Sequence, residues 1–303
     1  MTWVFHVGTC SWTDKTLIEE SDFYPKEAKT PAARLRFYAM HFDTVEIDST
    51  FYAFPPERNA VLWAERTPQG FLFNVKALSL FTFHRTPRNA LPLFLLKELG
   101  SEWQKTEDLF TKDVPQAWLG EVLLAFLKTL HPLKEKAKLG YILFQFPPWF
   151  RPEPESLAYL EWLRKHTEGI TAAIEFRHRS WVERPRLPHT LKLLKDLGFA
   201  LVCVDEPALS WTIPPFFETT HRVAVVRFHG RNKAAWQEKN LPVSEKFRYL
   251  YSREELIEWR ERILARLPQN TETFIMFNNC YRDFAVRNAL EMQKLLKEGG
   301  RNV

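Results

Sequence analysis

Residues 170–181, ITAAIEFRHRSW, constrain the fold more than any other stretch of this chain. An apolar β-run ends abruptly in Glu175, Arg177, His178 and Arg179. Strand alternation sets Ile170, Ala172, Ile174 and Phe176 on one face, and Thr171, Ala173, Glu175 and Arg177 on the other. A strand that is apolar along its length and ionisable only at its C-terminal end fits a parallel barrel, whose interior is filled by layers of side chains and whose chemistry collects at one rim. His178 and Arg179, past the strand end, are expected to serve the following loop.

Seven further β-runs have comparable character: WVFHVG at 3–8, DTVEI at 43–47, FLFNVKA at 71–77, YILFQFPP at 141–148, FALVCVD at 199–205, VAVVRFHG at 223–230 and TFIMFNN at 273–279. Helical patterns separate most of them, at residues 31–40, 56–66, 154–166, 188–197, 253–267 and 283–297. Strands alternating with helices at this spacing predict a parallel sheet with crossover helices. Eight such units, with no GxGxxG turn, predict a (β/α)8 TIM barrel rather than a doubly wound open sheet. The rhythm breaks at residues 78–138, where an apolar helical run, AWLGEVLLAFLKTLHPL, occupies 117–133. A structureless loop of that length is improbable, so a helical, lid-like insertion after the third strand is expected. Residues 1–303 are expected to form a single domain.

Composition bears on partners and compartment. A hydrophobic share of 45% beside 26% charged residues excludes a disordered or fibrous chain. The 25 Phe and 11 Trp against 10 Gly favour a stable, heat-tolerant fold. A net charge of +5 is compatible with anionic ligands, but no block of five like charges marks a nucleic-acid tail. Cys10, Cys203 and Cys280 are widely spaced and form no CxxC pair, which suits a reducing compartment. No signal-peptide pattern and no run of 18 apolar residues occurs, so the expectation is a cytoplasmic protein that does not enter membranes.

The C-terminal strand ends carry a strongly polar set. Glu46 and Glu175, on separate strands, are candidates for an acid/base pair if their surroundings push their pKa values apart, with His229 as a third catalytic candidate. The alternative for these carboxylates is a structural ion-pair ring with Lys76, Arg177 and Arg227. Arg227, His229, Gly230 and Arg231 end the seventh strand, where barrels often hold phosphate, and Arg can grip such a group bidentately. Lys76, Gln145, Arg177, Asp205, Arg227, Arg231, Asn278 and Asn279 make up the expected binding set, and Trp12 and Tyr52 are candidates for stacking on a ring or base. The His residues show no HExxH or paired spacing, so no metal ligands are assigned and a cofactor is left open. Cys10 and Cys280 follow neighbouring strands, either as small buried thiols or as a reactive pair. A small anionic or phosphorylated ligand, with phosphoester hydrolysis as the reaction, is the leading reading. The alternative is a non-catalytic nucleic-acid or nucleotide binder, and Arg177 beside Glu175 argues against a two-carboxylate glycosidase.

Seven stretches together resemble the YecE-like family, a group of unknown function with a TIM-barrel fold: VGTCSW at 7–12, FDTVEIDSTFY at 42–52, GFLFNVKA at 70–77, ILFQFPPWF at 142–150, EFRHRSW at 175–181, VRFHGR at 226–231, and FNN with AVRNAL at 277–290. The resemblance implies the barrel and the rim location of the site; it implies no activity. This chain departs from the family pattern at Cys10–Ser11, where the family has Ser-Gly, at Asp48, where it usually has Asn, and at Phe83, which interrupts a Thr-His pair.

Overall fold

The computed structural model describes residues 3–100, 106–238 and 240–298. In chain order its strands are β1 Val4–Thr9, β2 Thr44–Ile47, β3 Leu72–Lys76, β4 Thr86–Pro87, β5 Asp108–Leu109, β6 Leu139–Gln145, β7 Ala172–Glu175, β8 Ala200–Asp205, β9 Val223–Phe228 and β10 Glu272–Phe277. The helices are α1 Lys15–Glu19, α2 Pro31–Tyr38, α3 Glu57–Glu65, α4 Leu93–Glu98, α5 Gln116–Thr129, α6 His131–Glu135, α7 Pro154–His166, α8 Leu187–Asp196, α9 Lys233–Gln237, α10 Val243–Lys246, α11 Arg253–Leu264 and α12 Phe284–Glu298. Eight of the strands close into a barrel in the order β1-β10-β9-β8-β7-β6-β3-β2, and every pairing within it is parallel. The chain is therefore a (β/α)8 barrel, as its eight β-runs predict.

Why the strands take these positions follows from their apolar alternation. In β9, Val225 and Arg227 face inward while Phe228 packs outward against Trp259 of α11 and Tyr251. The inward residues stack in layers. At the N-terminal end His6 stacks on Phe274 with centroids 4.8 Å apart, and Tyr141 meets the same ring edge-on at 5.2 Å. Above them lie the ionisable residues of the strand ends.

Closure between β1 and β2 rests on one paired position, Thr9 with Val45. The buried Tyr38 hydroxyl strengthens this seam: it accepts from the Thr9 amide at 2.8 Å and donates to the Thr44 carbonyl at 3.1 Å. Gly8 is needed at the same place, since a Cβ there would lie 2.2 Å from the Thr44 carbonyl oxygen.

The described residues between β3 and β6 are mainly helical, with one short ribbon, and they divide into two parts. α5 buries Trp118, Leu119, Val122, Leu123 and Phe126 and packs against α3 and α7, so it serves as the crossover helix of the third unit. The addition proper precedes it: helical turns at Ser79–Thr82 and Arg88–Ala90, the antiparallel ribbon of β4 and β5, and α4. This addition stands at the C-terminal face of the barrel, where Trp149 donates to the Phe83 carbonyl at 3.2 Å. Two short helices not evident from periodicity, α9 and α10, lie between β9 and α11.

Candidate functional site

Arg227 sits at the centre of the upper barrel and is completely buried. Its guanidinium holds Glu46 on one side, Nη2 to Oε1 at 2.5 Å and Nε to Oε2 at 3.1 Å, and Glu175 on the other, Nη1 to Oε2 at 2.6 Å. One cation thus faces two carboxylates, and their other partners differ. Glu175 also receives Gln145 Nε2 at 2.6 Å, His229 Nε2 at 3.0 Å and Arg177 Nη1 at 3.2 Å. Burial alone would raise its pKa, but the charges of Arg227 and Arg177 and the hydrogen bond from His229 outweigh that and hold it well below the usual carboxylate range. Glu46 has, besides Arg227, only the Tyr141 hydroxyl at 3.1 Å, so burial dominates and, with Asp48 adding repulsion, lifts it to about 7.

His229 is neutral. Burial, with Arg177 and Arg227 adding to it, overcomes Glu175 and lowers its pKa to about 4. Its Nε2 therefore carries the proton donated to Glu175, and Nδ1 accepts from Asn278 Nδ2 at 2.9 Å. Glu46, Arg227, Glu175 and His229 form one continuous run of ion pairs and hydrogen bonds, the Arg227 ring, whose four side chains have no exposed surface.

Above the ring a cavity of about 320 Å³ opens between the strand ends. Sequence-expected residues Lys76, Gln145, Arg177, Asn278 and Tyr52 line it, together with Cys10, Ser11, Asp14, Asp48, Ser244, Phe247 and Cys280. Arg177 is engaged by acidic partners: Nη1 reaches Glu175, Nη2 lies 3.0 Å from Glu206 Oε2 in an ion pair without a hydrogen bond, and the guanidinium covers the Trp236 ring at 4.9 Å, while its buried Nε has no partner. Lys76 is not so closely held. Its Nζ has Asp48 Oδ1 as nearest carboxylate oxygen, at 3.8 Å, and the Phe51 ring centroid at 4.5 Å. Asp48 Oδ1 is buried and accepts no hydrogen bond. Both thiols at the cavity edge, Cys10 and Cys280, are raised well above the ordinary thiol value by burial, so they stand protonated.

Four expected residues lie elsewhere. Asp205 points outward from β8 and is bound by Arg231 Nη2 at 2.7 Å, Tyr251 Oη at 2.7 Å and Trp259 Nε1 at 2.5 Å. Arg231 adds Glu255 at 2.9 Å, so this pair ties the barrel to α11 instead of lining the cavity. Asn279 is buried behind the strands, donating to Asn288 Oδ1 at 2.9 Å and the Tyr249 carbonyl at 2.8 Å. Trp12 is buried against Trp63 and Phe73.

The family model described as "Protein of unknown function DUF72" matches residues 6–303. This chain belongs to the DUF72 family. The barrel is 32% identical to the UPF0759 protein YunF of Bacillus subtilis over 299 residues, covering 97% of this chain and 95% of that one. Crystal structures of DUF72 family proteins are similar throughout. One from Thermotoga maritima gives a TM-score of 0.75 at 31% identity, covering 97% of this chain and 99% of its own. One from Enterococcus faecalis gives 0.77 at 28% identity, covering 97% and 96%.

Within this DUF72 barrel the cavity residues outside the expected binding set have two origins. Asp48 shares strand parity with Glu46 and was legible on that ground. Ser244 and Phe247 arrive through the excursion between β9 and α11, and no strand pattern points to them. Among the described residues, no group of three His, Cys, Asp or Glu side chains is arranged to hold a metal ion, and no helix is long and apolar enough to cross a membrane.

Proposed function

We propose that this DUF72 protein binds a small anionic ligand, phosphorylated or carboxylated, in the cavity above the Arg227 ring, with Lys76 as the cation that receives it. One observation carries this reading: Lys76 Nζ faces the cavity with its nearest carboxylate oxygen at 3.8 Å, beyond hydrogen-bond reach. A cation largely removed from water and left without a close partner is costly unless a ligand completes it. Gln145, Asn278, Ser11 and Ser244 supply amides and hydroxyls for a ligand's neutral oxygens, and Tyr52 and Phe247 supply apolar walls. A volume of about 320 Å³ suits a metabolite rather than a polymer, which disfavours the nucleic-acid reading.

If the ligand is turned over, Asp48 is the acid/base candidate, because it lines the cavity with an unpartnered oxygen. Glu175 is held ionised under four donors and Glu46 is clamped by Arg227, so their part is to fix the cavity floor. Phosphoester hydrolysis would then use Asp48 to activate water. The free thiols of Cys10, Cys203 and Cys280 support a reducing, cytoplasmic setting.

Titration calorimetry with phosphate and malonate tests the binding claim. Millimolar or tighter binding to the wild type, weakened at least ~10-fold by Lys76→Met, is expected. Equal binding by both proteins overturns it.

A further inference from the structure

We propose that Lys76 is a nucleophile as well as an anion receptor, and that the protein takes a 2-oxo acid whose carbonyl carbon forms an imine with Nζ. The proposal rests on the anion-binding reading above and narrows its ligand class.

Three observations support it. Lys76 ends β3 at the C-terminal face, only 8% exposed, with its nitrogen turned to the cavity and engaged by no hydrogen bond. The Phe51 ring, 4.5 Å from Nζ, closes one side with apolar surface and limits the water around the amine. On the other side stands Asp48 Oδ1, 3.8 Å from Nζ and 3.9 Å from Arg227 Nη2 and accepting no hydrogen bond, a carboxylate oxygen that a single water would link to the Lys76 nitrogen for proton exchange.

The ligand class follows from how the cations are used. Arg227 is ion-paired with Glu46 and Glu175, with Asp48 Oδ1 at 3.9 Å, and the two Nη atoms of Arg177 face Glu175 and Glu206, leaving only its buried Nε without a partner. A carbonyl compound with a distant phosphate would need a second available cation for that phosphate. In a 2-oxo acid the electrophilic carbon is bonded directly to the carboxylate, so one nitrogen meets both groups. After condensation, the iminium keeps its positive charge beside that carboxylate.

The Lys76 ammonium gives a proton to Asp48 through one relaying water, and the freed electron pair forms the N–C bond while the carbonyl π pair moves to oxygen. A second nitrogen proton passes to that oxygen, giving the neutral carbinolamine. Asp48 returns its proton to the hydroxyl, which leaves as water as the nitrogen lone pair forms C=N. Ammonium and ketone thus become iminium and water, and Asp48 is restored. No oxidant or reductant is consumed.

The test is reductive trapping. The full chain is incubated with pyruvate and cyanoborohydride, then mapped by peptide mass spectrometry, with exposed lysines such as Lys192 as internal reference. A carboxyethyl adduct on Lys76 in at least ~10-fold excess over the exposed lysines, slowed in Asp48→Asn, supports the proposal. Adducts confined to exposed lysines overturn it. Binding of malonate, which has no ketone, is measured in parallel on wild type and Lys76→Arg. Malonate binding without trapping at Lys76 removes the imine and leaves the anion site, whereas loss of both removes the two readings together. Thermal melts of the variants establish that each is folded.

Discussion

Lys76 Nζ and Asp48 Oδ1 stand 3.8 Å apart at the mouth of the barrel, close enough to attract each other and too far to hydrogen-bond. An ion pair built for stability would close that gap, as Arg227 does with Glu46 at 2.5 Å. The open pair therefore has a different sensitivity to mutation from the closed one. Lys76→Met is expected to change unfolding free energy by less than ~1 kcal/mol while weakening anion binding at least ~10-fold, since only the open Asp48 pair and the Phe51 ring contact are lost. Chemical denaturation alongside ligand titration checks this; a large stability loss would mark Lys76 as structural.

Arg227 should behave in the opposite way. Arg227→Ala leaves Glu46 and Glu175 buried without their shared cation, which is expected to cost about 3–5 kcal/mol and to lower expression of folded protein. Glu46→Gln should be milder, because its carboxyl is already raised to about 7 by burial and gives up its charge more readily than Glu175. Urea unfolding near neutral pH reads both, and an Arg227 variant as stable as wild type would contradict the ring.

His6 provides a pH signature at the far end of the barrel. Burial works against its charge, but hydrogen bonds to Asp43 at 2.5 Å and Glu272 at 3.1 Å prevail and raise its pKa from 6.5 to about 9. The folded state therefore binds the proton more tightly than the unfolded chain does. Its contribution is fully present below the unfolded value of 6.5 and is lost as pH rises through about 9. After screening at the half-exposed carboxylates, about 1–2 kcal/mol is expected. Unfolding measured on either side of that window should show the decline in wild type and a flatter profile in His6→Asn.

Tyr38→Phe tests the barrel seam. Removing the hydroxyl leaves the buried Thr9 amide without the acceptor it has at 2.8 Å, beside a single paired position between β1 and β2. A loss of about 1–3 kcal/mol is expected, and hydrogen exchange at Thr9 should quicken more than at β9 amides. Unchanged exchange would show that Gly8 and the strand contacts suffice.

The barrel was legible because apolar alternation and ionisable strand ends are local properties: Glu46, Glu175 and Arg227 share the inward parity that the sequence predicts, and they meet. Parity also separates Asn278, which reaches His229, from Asn279, which bonds Asn288 behind the sheet. Asp205 pairs in register with Phe228, the outward residue beside Arg227, and so faces Trp259. Arg231 and Trp12 lie beyond their strands, where alternation no longer governs direction. Which charges would be sealed in the ring and which left at the cavity depended on long-range packing. Lys76 and Arg177 look equivalent in sequence, yet Glu206 and Trp236 engage one and leave the other open.

The most direct test of the account is a crystal structure of the full chain soaked in phosphate, with a parallel soak in malonate. An anion in the cavity within about 3 Å of Lys76 Nζ, over an undisturbed Arg227 ring, is the predicted result. An empty cavity at saturating anion, with Lys76 closed onto Asp48, would contradict it.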